Sequence, residues 1–163
     1  MAIVAGDLKF YLTGGAANAV PAASLGGVTS SVQFTDNSAA NLFANVSPLE
    51  AAAGSTKYRA LAFKNTSAFT AYAASIYVSQ DTPSDDTSVE IAYDPTGTQS
   101  VADEDTAPTG LTFSTPLSFA TAIALGDIAA GGEARIWFKR IVTDSAVAAS
   151  DSMKWTVVVG NAP

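Results

Sequence analysis

Apolar residues in this chain recur mostly at every second position, the spacing of a β-strand that buries one face. In the segment GDIAAGGEARIWFKRIV, Ile136 and Phe138 fall on one face and Trp137 falls on the other. Segments of this kind occupy residues 57–65, 71–80, 88–95, 126–142 and 153–160. Several short alternating segments separated by polar turns predict an all-β fold, an antiparallel β-sandwich.

One short helix is predicted near residue 50. Ser47 can cap the first turn, Pro48 suits the first helical position and Glu50 completes a capping box. Gly54 can end the helix after one or two turns.

Two regions lack a regular pattern. Residues 94–112 form a long connection rich in Pro, Gly, Asp and Thr, and loops of this length are usually functional or held by a partner. The first forty residues are also irregular. We therefore expect residues 1–40 to form an irregular N-terminal arm or extension packed on the domain, and residues 41–163 to form the β-sandwich domain.

The composition narrows the possible functions. A chain of 163 residues corresponds to about one domain. It contains no cysteine and no histidine, so disulfides, thiolate metal sites and the commonest general base are excluded. The net charge of −7 opposes binding to nucleic acid or to an anionic membrane, and neither partner is expected. Only 14% of residues are charged, and such a surface suits burial against neighbours in an assembly.

Acidic residues are the remaining candidates for ion binding. Asp103, Glu104 and Asp105 could offer carboxylate oxygens to calcium. However, consecutive residues of an extended loop point in different directions, and the spacing of a calcium loop is absent. We expect this cluster and the acidic turn at residues 81–86 to be solvated, and we predict no metal site.

A pair of carboxylates would be the simplest catalytic arrangement. Glu90 and Asp94 lie on or near one predicted strand, as a glycosidase pair could. Glu90 belongs to the outward-facing set, where no burial would raise its pKa. The serines lack a lysine at S-x-x-K spacing, and the paired glycines lack a phosphate-binding pattern. We therefore predict no enzymatic activity, no catalytic residue and no cofactor.

The predicted outer face around Trp137 is the best candidate for binding. Arg135 and Lys139 flank Trp137 at two residues' distance, so the three side chains project together. This face could be ordinary surface, an anchor for a protein partner, or a sugar platform with Tyr77 as a second aromatic. The candidate partner-contact residues are Trp137, Arg135 and Lys139, with Phe10 and Tyr11 in the predicted arm.

Four segments of the chain carry a resemblance to a known family. They are DLKFYLTGGAANAVPAASLGGVTSS, NLFANVSPLEAAAGSTKYRALAFKNTS, VADEDTAPTGLTFSTP and LGDIAAGGEARIWFKRIVTDSAVAASDSMKWTVVV. Together they resemble a family of small virion structural proteins from tailed bacteriophages and prophages. The resemblance spans nearly the whole chain in the same order. It is strongest in the KNT turn and in GDIAAGGEARIWFKR, which look like an Ig-like β-sandwich pattern.

The resemblance implies a structural role and transfers no catalytic residue. Among virion roles we favour a capsid decoration (cement) protein that binds neighbouring major capsid protein subunits on the outside of the head. A homo-oligomer is expected, with a trimer favoured over a monomer or dimer. The alternatives are a tail, baseplate or fibre component and, from another class, a carbohydrate-binding adsorption module.

The expected location is the capsid surface of the virion, after synthesis in the host bacterial cytoplasm. Asp7 and Lys9 interrupt the apolar N-terminal stretch before the core of a signal peptide could form. No secretion signal is therefore expected.

Overall fold

Eight β-strands and one α-helix make up most of the regular structure in the computed structural model, which describes residues 3–35, 42–81, 86–144, 146–147 and 152–160. The strands are β1 (Leu8–Thr13), β2 (Thr29–Gln33), β3 (Ser55–Asn65), β4 (Ala71–Asp81), β5 (Thr87–Asp94), β6 (Ile123–Ile128), β7 (Glu133–Val142) and β8 (Met153–Gly160), and the helix is α1 (Pro48–Ala53). Short 3-10 turns occupy Ala5–Asp7, Pro21–Ala23 and Phe119–Thr121.

The strands form two antiparallel sheets that pack as a sandwich. The five-stranded sheet has the order β2-β1-β3-β7-β5, and the three-stranded sheet has the order β6-β4-β8. All the paired strands run antiparallel. The predicted fold class, an all-β antiparallel sandwich, is therefore confirmed.

A hydrophobic core fills the space between the sheets. Ile136 and Phe138 of β7 are fully buried in it, as is Ile76 of β4. Trp155 of β8 packs against Phe138 and Phe10, with ring centroids 4.7 and 5.8 Å apart. The period-two pattern of these strands arises from this shared interior.

The predicted helix is confirmed at its predicted position. Ser47 Oγ accepts a hydrogen bond from the backbone N–H of Glu50 at 3.2 Å. The carboxylate of Glu50 in turn accepts from the N–H of Ser47 at 2.8 Å, which completes the capping box. Pro48 occupies the first turn, and Gly54 follows the last residue with φ of 73°.

The boundary predicted at residue 40 does not separate an arm from a sandwich. β1 pairs with β3 over Leu8–Asn65 to Tyr11–Ala62, so residues 8–13 form an inner strand of the five-stranded sheet. Their sequence LKFYLT alternates in the same way as the later strands, which explains why they join the sheet. Residues 1–2 and 36–40 of the predicted arm lie outside the described residues.

A long strap covers the β3-β7-β5 part of the outer face of the five-stranded sheet. We use "the strap" for residues 95–115, which leave β5, cross the sheet to β3 and return. On the edge of β3, the N–H of Tyr58 donates to the carbonyl of Glu104 at 2.7 Å. On the way back, Ser114 and Ile91 exchange two backbone hydrogen bonds of 2.8 and 3.0 Å. The connection predicted to lack regular structure is thus held by the chain's own strands.

Candidate contact surfaces

Trp137 lies beneath the strap and has no exposed surface. Its neighbours on the adjacent strands are Ala60 and Ala92, whose small side chains leave room for the indole. Apolar side chains of the strap, including Leu111 and Phe113, complete the second hydrophobic cluster around it. Trp137 does project from the outer face of its sheet, but the expectation that it is exposed is wrong. The strap, a loop without periodicity, covers that face.

Gly26 allows a neighbouring loop to close over the same indole. Its φ is +85°, and a Cβ at this position would lie 2.1 Å from the carbonyl oxygen of Gln99 and 2.7 Å from Cζ2 of Trp137. Backbone hydrogen bonds join this loop to the strap, including one of 2.8 Å from the N–H of Gly27 to Gln99. Only glycine fits here without displacing backbone or indole.

Arg135 is also buried, with 2% of its surface exposed, and it contacts the chain itself. Its guanidinium donates to the carbonyl of Gly27 at 2.8 Å and to Oγ1 of Thr29 at 2.9 Å. Burial lowers the pKa of Arg135, and the nearby carboxylates of Glu133 and Asp94 act in the opposite direction. Arg135 therefore holds the loop before β2 against β7, and it is not an outer contact residue in this structure.

Lys139 is half-buried and is paired across the sheet. Its Nζ lies 2.8 Å from the carboxylate of Glu90, the residue directly opposite it on β5. The same ammonium lies 5.9 Å from the ring centroid of Phe113 in the strap. The three residues predicted to project together do share one face, and that face is internal.

Phe10 and Tyr11 lie in β1. Phe10 is a core residue with 8% of its surface exposed, and its ring centroid is 5.1 Å from that of Phe63. It is therefore not available to a partner in this structure. Tyr11 is half-buried, and the ammonium of Lys64 lies 5.9 Å from its ring centroid. Contact of Tyr11 with a partner stays a prediction.

A network of charged side chains fastens the strap to the sheet. Lys57 lies 2.7 Å from Glu50 on α1 and 2.5 Å from Glu104 in the strap. Glu104 also pairs with Arg59, which is almost fully buried. Arg140 completes the network at 3.4 Å from Glu50. The network joins α1, β3, β7 and the strap at one end of the sheet.

The acids of this network are held ionised. Hydrogen bonds from Lys57 and from Ser47 lower the pKa of Glu50 to about 2. Burial raises the pKa of Glu104, but hydrogen bonds from Lys57 and Arg59 outweigh it and the net shift is downward. The two glutamates raise the pKa of Lys57, Glu104 more than Glu50.

The acidic loop at residues 103–105 therefore has two parts. Asp103 and Asp105 are exposed, as expected for a solvated cluster, whereas Glu104 is turned towards β3. Within the described part of the chain, no group of three or more acidic side chains could hold a metal ion. Of the acidic turn at 81–86, residues 82–85 lie outside the described residues.

Glu90 and Asp94, the two carboxylates considered above as a catalytic pair, are engaged in other contacts. Glu90 binds Lys139, and the carboxylate of Asp94 accepts hydrogen bonds from Thr96 at 2.9 and 2.6 Å and from Gln99 at 3.2 Å. Burial raises the pKa of Asp94, but these hydrogen bonds outweigh it and lower the pKa overall. Asp94 thus orders the start of the strap.

The opposite outer face of the sandwich, that of the three-stranded sheet, is partly exposed. We use "the open face" for the outward positions of the three-stranded sheet and the adjoining turn, namely Ser75, Tyr77, Ala124, Thr156, Val158, Leu117 and Phe119. Leu117 and Phe119 are 66% and 62% exposed. The rings of Tyr77 and Phe119 meet edge to face, with centroids 6.5 Å apart.

Charges of opposite sign lie at the two ends of the open face. Exposed Asp127 lies at one end, where its carboxylate accepts a hydrogen bond from the N–H of Ala73 at 2.8 Å. Exposed Lys154 lies at the other end, opposite Gln80 of β4. Neither residue forms an ion pair with another described residue.

Two shallow grooves lie beside the strap. One of about 440 Å³ is lined by residues that include Tyr93, Leu111 and Ile123. Another of about 580 Å³ lies among small and polar strap residues, Thr96 and Thr106 among them. Among the helices in the described ranges, none has the length and apolar character needed to cross a membrane.

Compared with known proteins, the chain matches no family model, no curated protein and no solved structure. The function is therefore inferred from the sequence and from the geometry of these surfaces.

Proposed function

We propose that this chain is a structural protein of a bacteriophage virion, and specifically a capsid decoration protein that bridges neighbouring subunits of the major capsid protein. The four segments quoted above, which resemble small virion proteins of tailed phages and prophages, support the class. An Ig-like variant of the sandwich belongs to the same proposal, and two packed antiparallel sheets are consistent with it.

The observation that carries the proposal concerns the cationic side chains and Trp137. Most of them contact other parts of the same chain. Of its eight Lys and Arg residues, five form ion pairs within the chain: Lys57, Arg59, Arg135, Lys139 and Arg140. Trp137 is sealed beneath the strap. The side chains best suited to bind a ligand therefore stabilise the fold. The surface of the protein consists mainly of small, polar and apolar groups. Such a body is suited to passive contact.

The mechanism would be multivalent burial of surface. One copy that contacts two capsid subunits at once resists their separation, and many weak contacts around a shell add up. The strap and its charged network would keep each copy folded without disulfides. The net charge of −7 favours a capsid surface that presents basic groups.

The proposal is tested on particles that lack this protein. Complete and deficient particles of the phage that encodes the chain are heated, and DNA release is followed with an intercalating dye. The proposal predicts release at a lower temperature from deficient particles, with recovery when purified protein is added back. Equal heat resistance of the two particles would contradict a cement role. A cryo-EM map of the complete particle would show whether the protein lies on the head or on the tail.

A sugar platform centred on Trp137 loses its structural basis. An indole without exposed surface cannot stack on a pyranose ring. If the adsorption hypothesis were right, a glycan array would give binding that is lost in Phe119→Ala, because Phe119 and Tyr77 are the aromatic pair on the open face.

A further inference from the structure

We propose that residues 105–113 form a lid that opens while the rest of the sandwich stays folded, and that its opening uncovers Trp137. We use "the lid" for these residues, the part of the strap that returns from β3 to β5. This inference does not depend on the virion role, because it follows from the contacts of the strap alone.

The two halves of the strap are attached in different ways. The outgoing half, residues 95–104, forms backbone hydrogen bonds with the loop before β2, for example from the N–H of Val101 to the carbonyl of Leu25 at 3.0 Å. Among the described residues, no backbone hydrogen bond joins the lid to another element. Its hydrogen bonds run to Asp103, a neighbour in the strap itself. The backbone of the lid is therefore not attached to the sheet that it covers.

Both ends of the lid are anchored, and the chain between them is long enough to lift. At one end, the carbonyl of Glu104 accepts from Tyr58 on the edge of β3, and at the other Ser114 exchanges two hydrogen bonds with Ile91 on the edge of β5. The lid thus crosses β3, β7 and β5, a distance of about 19 Å at about 4.8 Å per strand spacing. Ten residue steps can span about 33 Å. The lid can therefore rise without moving either anchor.

Three apolar side chains hold the lid closed. Pro108 is buried, and Leu111 and Phe113 pack against the cluster around Trp137. The ring of Phe113 meets that of Tyr58 edge to face, with centroids 5.6 Å apart. The other residues of the lid are exposed. A segment with few apolar contacts and no backbone attachment opens at a lower free energy than the whole fold.

Grooves border the lid on both sides. The groove of about 580 Å³ is lined by both halves of the strap, with Thr98 on the outgoing half and Thr106 on the lid. The groove of about 440 Å³ is lined by Leu111 of the lid and by Tyr93 and Ile123 of the strands beside it. The lid therefore rests on the sheet with little support from either side.

Opening of the lid would change which side chains the surface presents. Trp137, Tyr58 and Lys139 would then lie at the surface of the five-stranded sheet, as the sequence pattern predicts for Trp137 and Lys139. A partner that contacts this cluster would bind the open form alone, so its apparent affinity would be reduced by the open fraction. The lid would therefore act as an autoinhibitory contact.

The first experiment is thiol labelling, which is specific because the chain contains no cysteine. Ala92→Cys places a thiol next to Trp137 beneath the lid, and Ala74→Cys places a control thiol in the core between the sheets; both alanines are almost fully buried. Each labelling rate is compared with the rate expected from the variant's own free energy of unfolding.

The rate for Ala92→Cys should exceed that expectation by about tenfold or more, whereas the rate for Ala74→Cys should match it. Low concentrations of urea should leave the rate for Ala92→Cys unchanged, because opening of the lid exposes little surface. The proposal is overturned if Ala92→Cys is labelled only through global unfolding, or if Ala74→Cys shows an equal excess.

Native-state proteolysis tests the unsubstituted chain, in case a thiol beneath the lid prevents folding. Thermolysin cuts before leucine and phenylalanine, and the closed lid holds Leu111 and Phe113 against the sheet. The bonds before these two residues should be cut at a rate that low urea does not change, because cutting follows local opening. The bond before Phe138 in β7 is the control and should be cut only where urea unfolds the chain. The same urea dependence at Leu111 and at Phe138 would contradict a lid.

Discussion

The two outer faces of the sandwich differ in what covers them. The outer face of the five-stranded sheet lies beneath the strap, and Trp137 there has no exposed surface. The open face of the three-stranded sheet leaves Leu117 and Phe119 mostly in solvent. Both faces carry aromatic residues at outward positions of strands or beside them. Coverage by the rest of the chain, rather than residue type, decides which aromatic is available to a partner.

The charges of the two faces differ in the same way. Beneath and around the strap, Arg135 and Lys139 contact carbonyl, hydroxyl or carboxylate oxygens of the chain. On the open face, Lys154 and Asp127 form no ion pair with a described residue. The first set stabilises the fold, and the second set is exposed to solvent. Substitutions beneath the strap should therefore lower stability more than substitutions on the open face.

The largest effect is expected from Trp137→Ala. Removal of a fully buried indole should lower the free energy of unfolding by about 3–5 kcal/mol, because a cavity replaces its contacts with the strap. Phe119→Ala on the open face should change it by less than about 0.5 kcal/mol. Urea denaturation followed by circular dichroism measures both. Similar small effects at the two positions would show that the strap does not cover Trp137 in solution.

A smaller loss is expected from Gly26→Ala, about 2–4 kcal/mol from the positive φ and the clash with Gln99 and Trp137. Gly110→Ala is the matched control in the strap. Its φ is +71°, and a Cβ there has nothing within 4 Å, so only the backbone strain of about 1 kcal/mol remains. The difference between the two melting curves isolates the close approach to the indole. Equal curves would contradict it.

Removal of one carboxylate from the charged network should lower the free energy of unfolding by less than Trp137→Ala or Gly26→Ala. Glu104→Gln keeps the shape of the side chain but leaves nearly buried Arg59 without its acid, and we expect a loss of about 1–3 kcal/mol. Asp105→Asn, an exposed neighbour in the same loop, should be nearly neutral. Thermal unfolding compares the two. A neutral Glu104→Gln would mean that the network does not hold the strap.

Acid should weaken the same network. Because the folded pKa of Glu50 is lowered from 4.5 to about 2, its stabilising contribution is complete above pH 4.5 and is lost as the pH falls towards 2. The pKa of Glu104 is lowered as well, so its contribution is lost in the same direction. The free energy of unfolding should therefore fall between about pH 4.5 and about 2. Glu50→Gln should flatten this slope, and an unchanged slope would exclude Glu50 as its source.

The smallest effect on stability is expected on the open face. Leu117→Ser/Phe119→Ser should change the free energy of unfolding by less than about 0.5 kcal/mol, because both side chains are mostly solvated in the monomer. A marked loss of stability would show that these side chains are packed within the monomer.

The sequence predicted the strands that bury one face. The inward orientation of Ile136, Phe138 and Ile76 could be predicted, because apolar residues at every second position face the shared core. The helix at Pro48–Ala53 could be placed because its signals are local. β1 was missed although LKFYLT alternates, because the irregular sequence around it suggested an arm.

The burial of Trp137 beneath the strap could not be predicted from the period-two alternation. Trp137 is covered by a loop, and loop residues such as Leu111 have no period that indicates a partner strand. The pairing of Glu104 with Lys57 joins residues 47 positions apart, and nothing local signals it. The one hint was the pair of alanines that lie opposite Trp137, since small neighbours leave space for a covering segment.

Hydroxyl-radical footprinting read by mass spectrometry tests the contrast between the two faces most directly, because it reports side-chain exposure residue by residue. In dilute protein, Leu117 and Phe119 should be oxidised and Trp137 should not. Oxidation of Trp137 in the folded protein to the same extent as Phe119 would contradict the account.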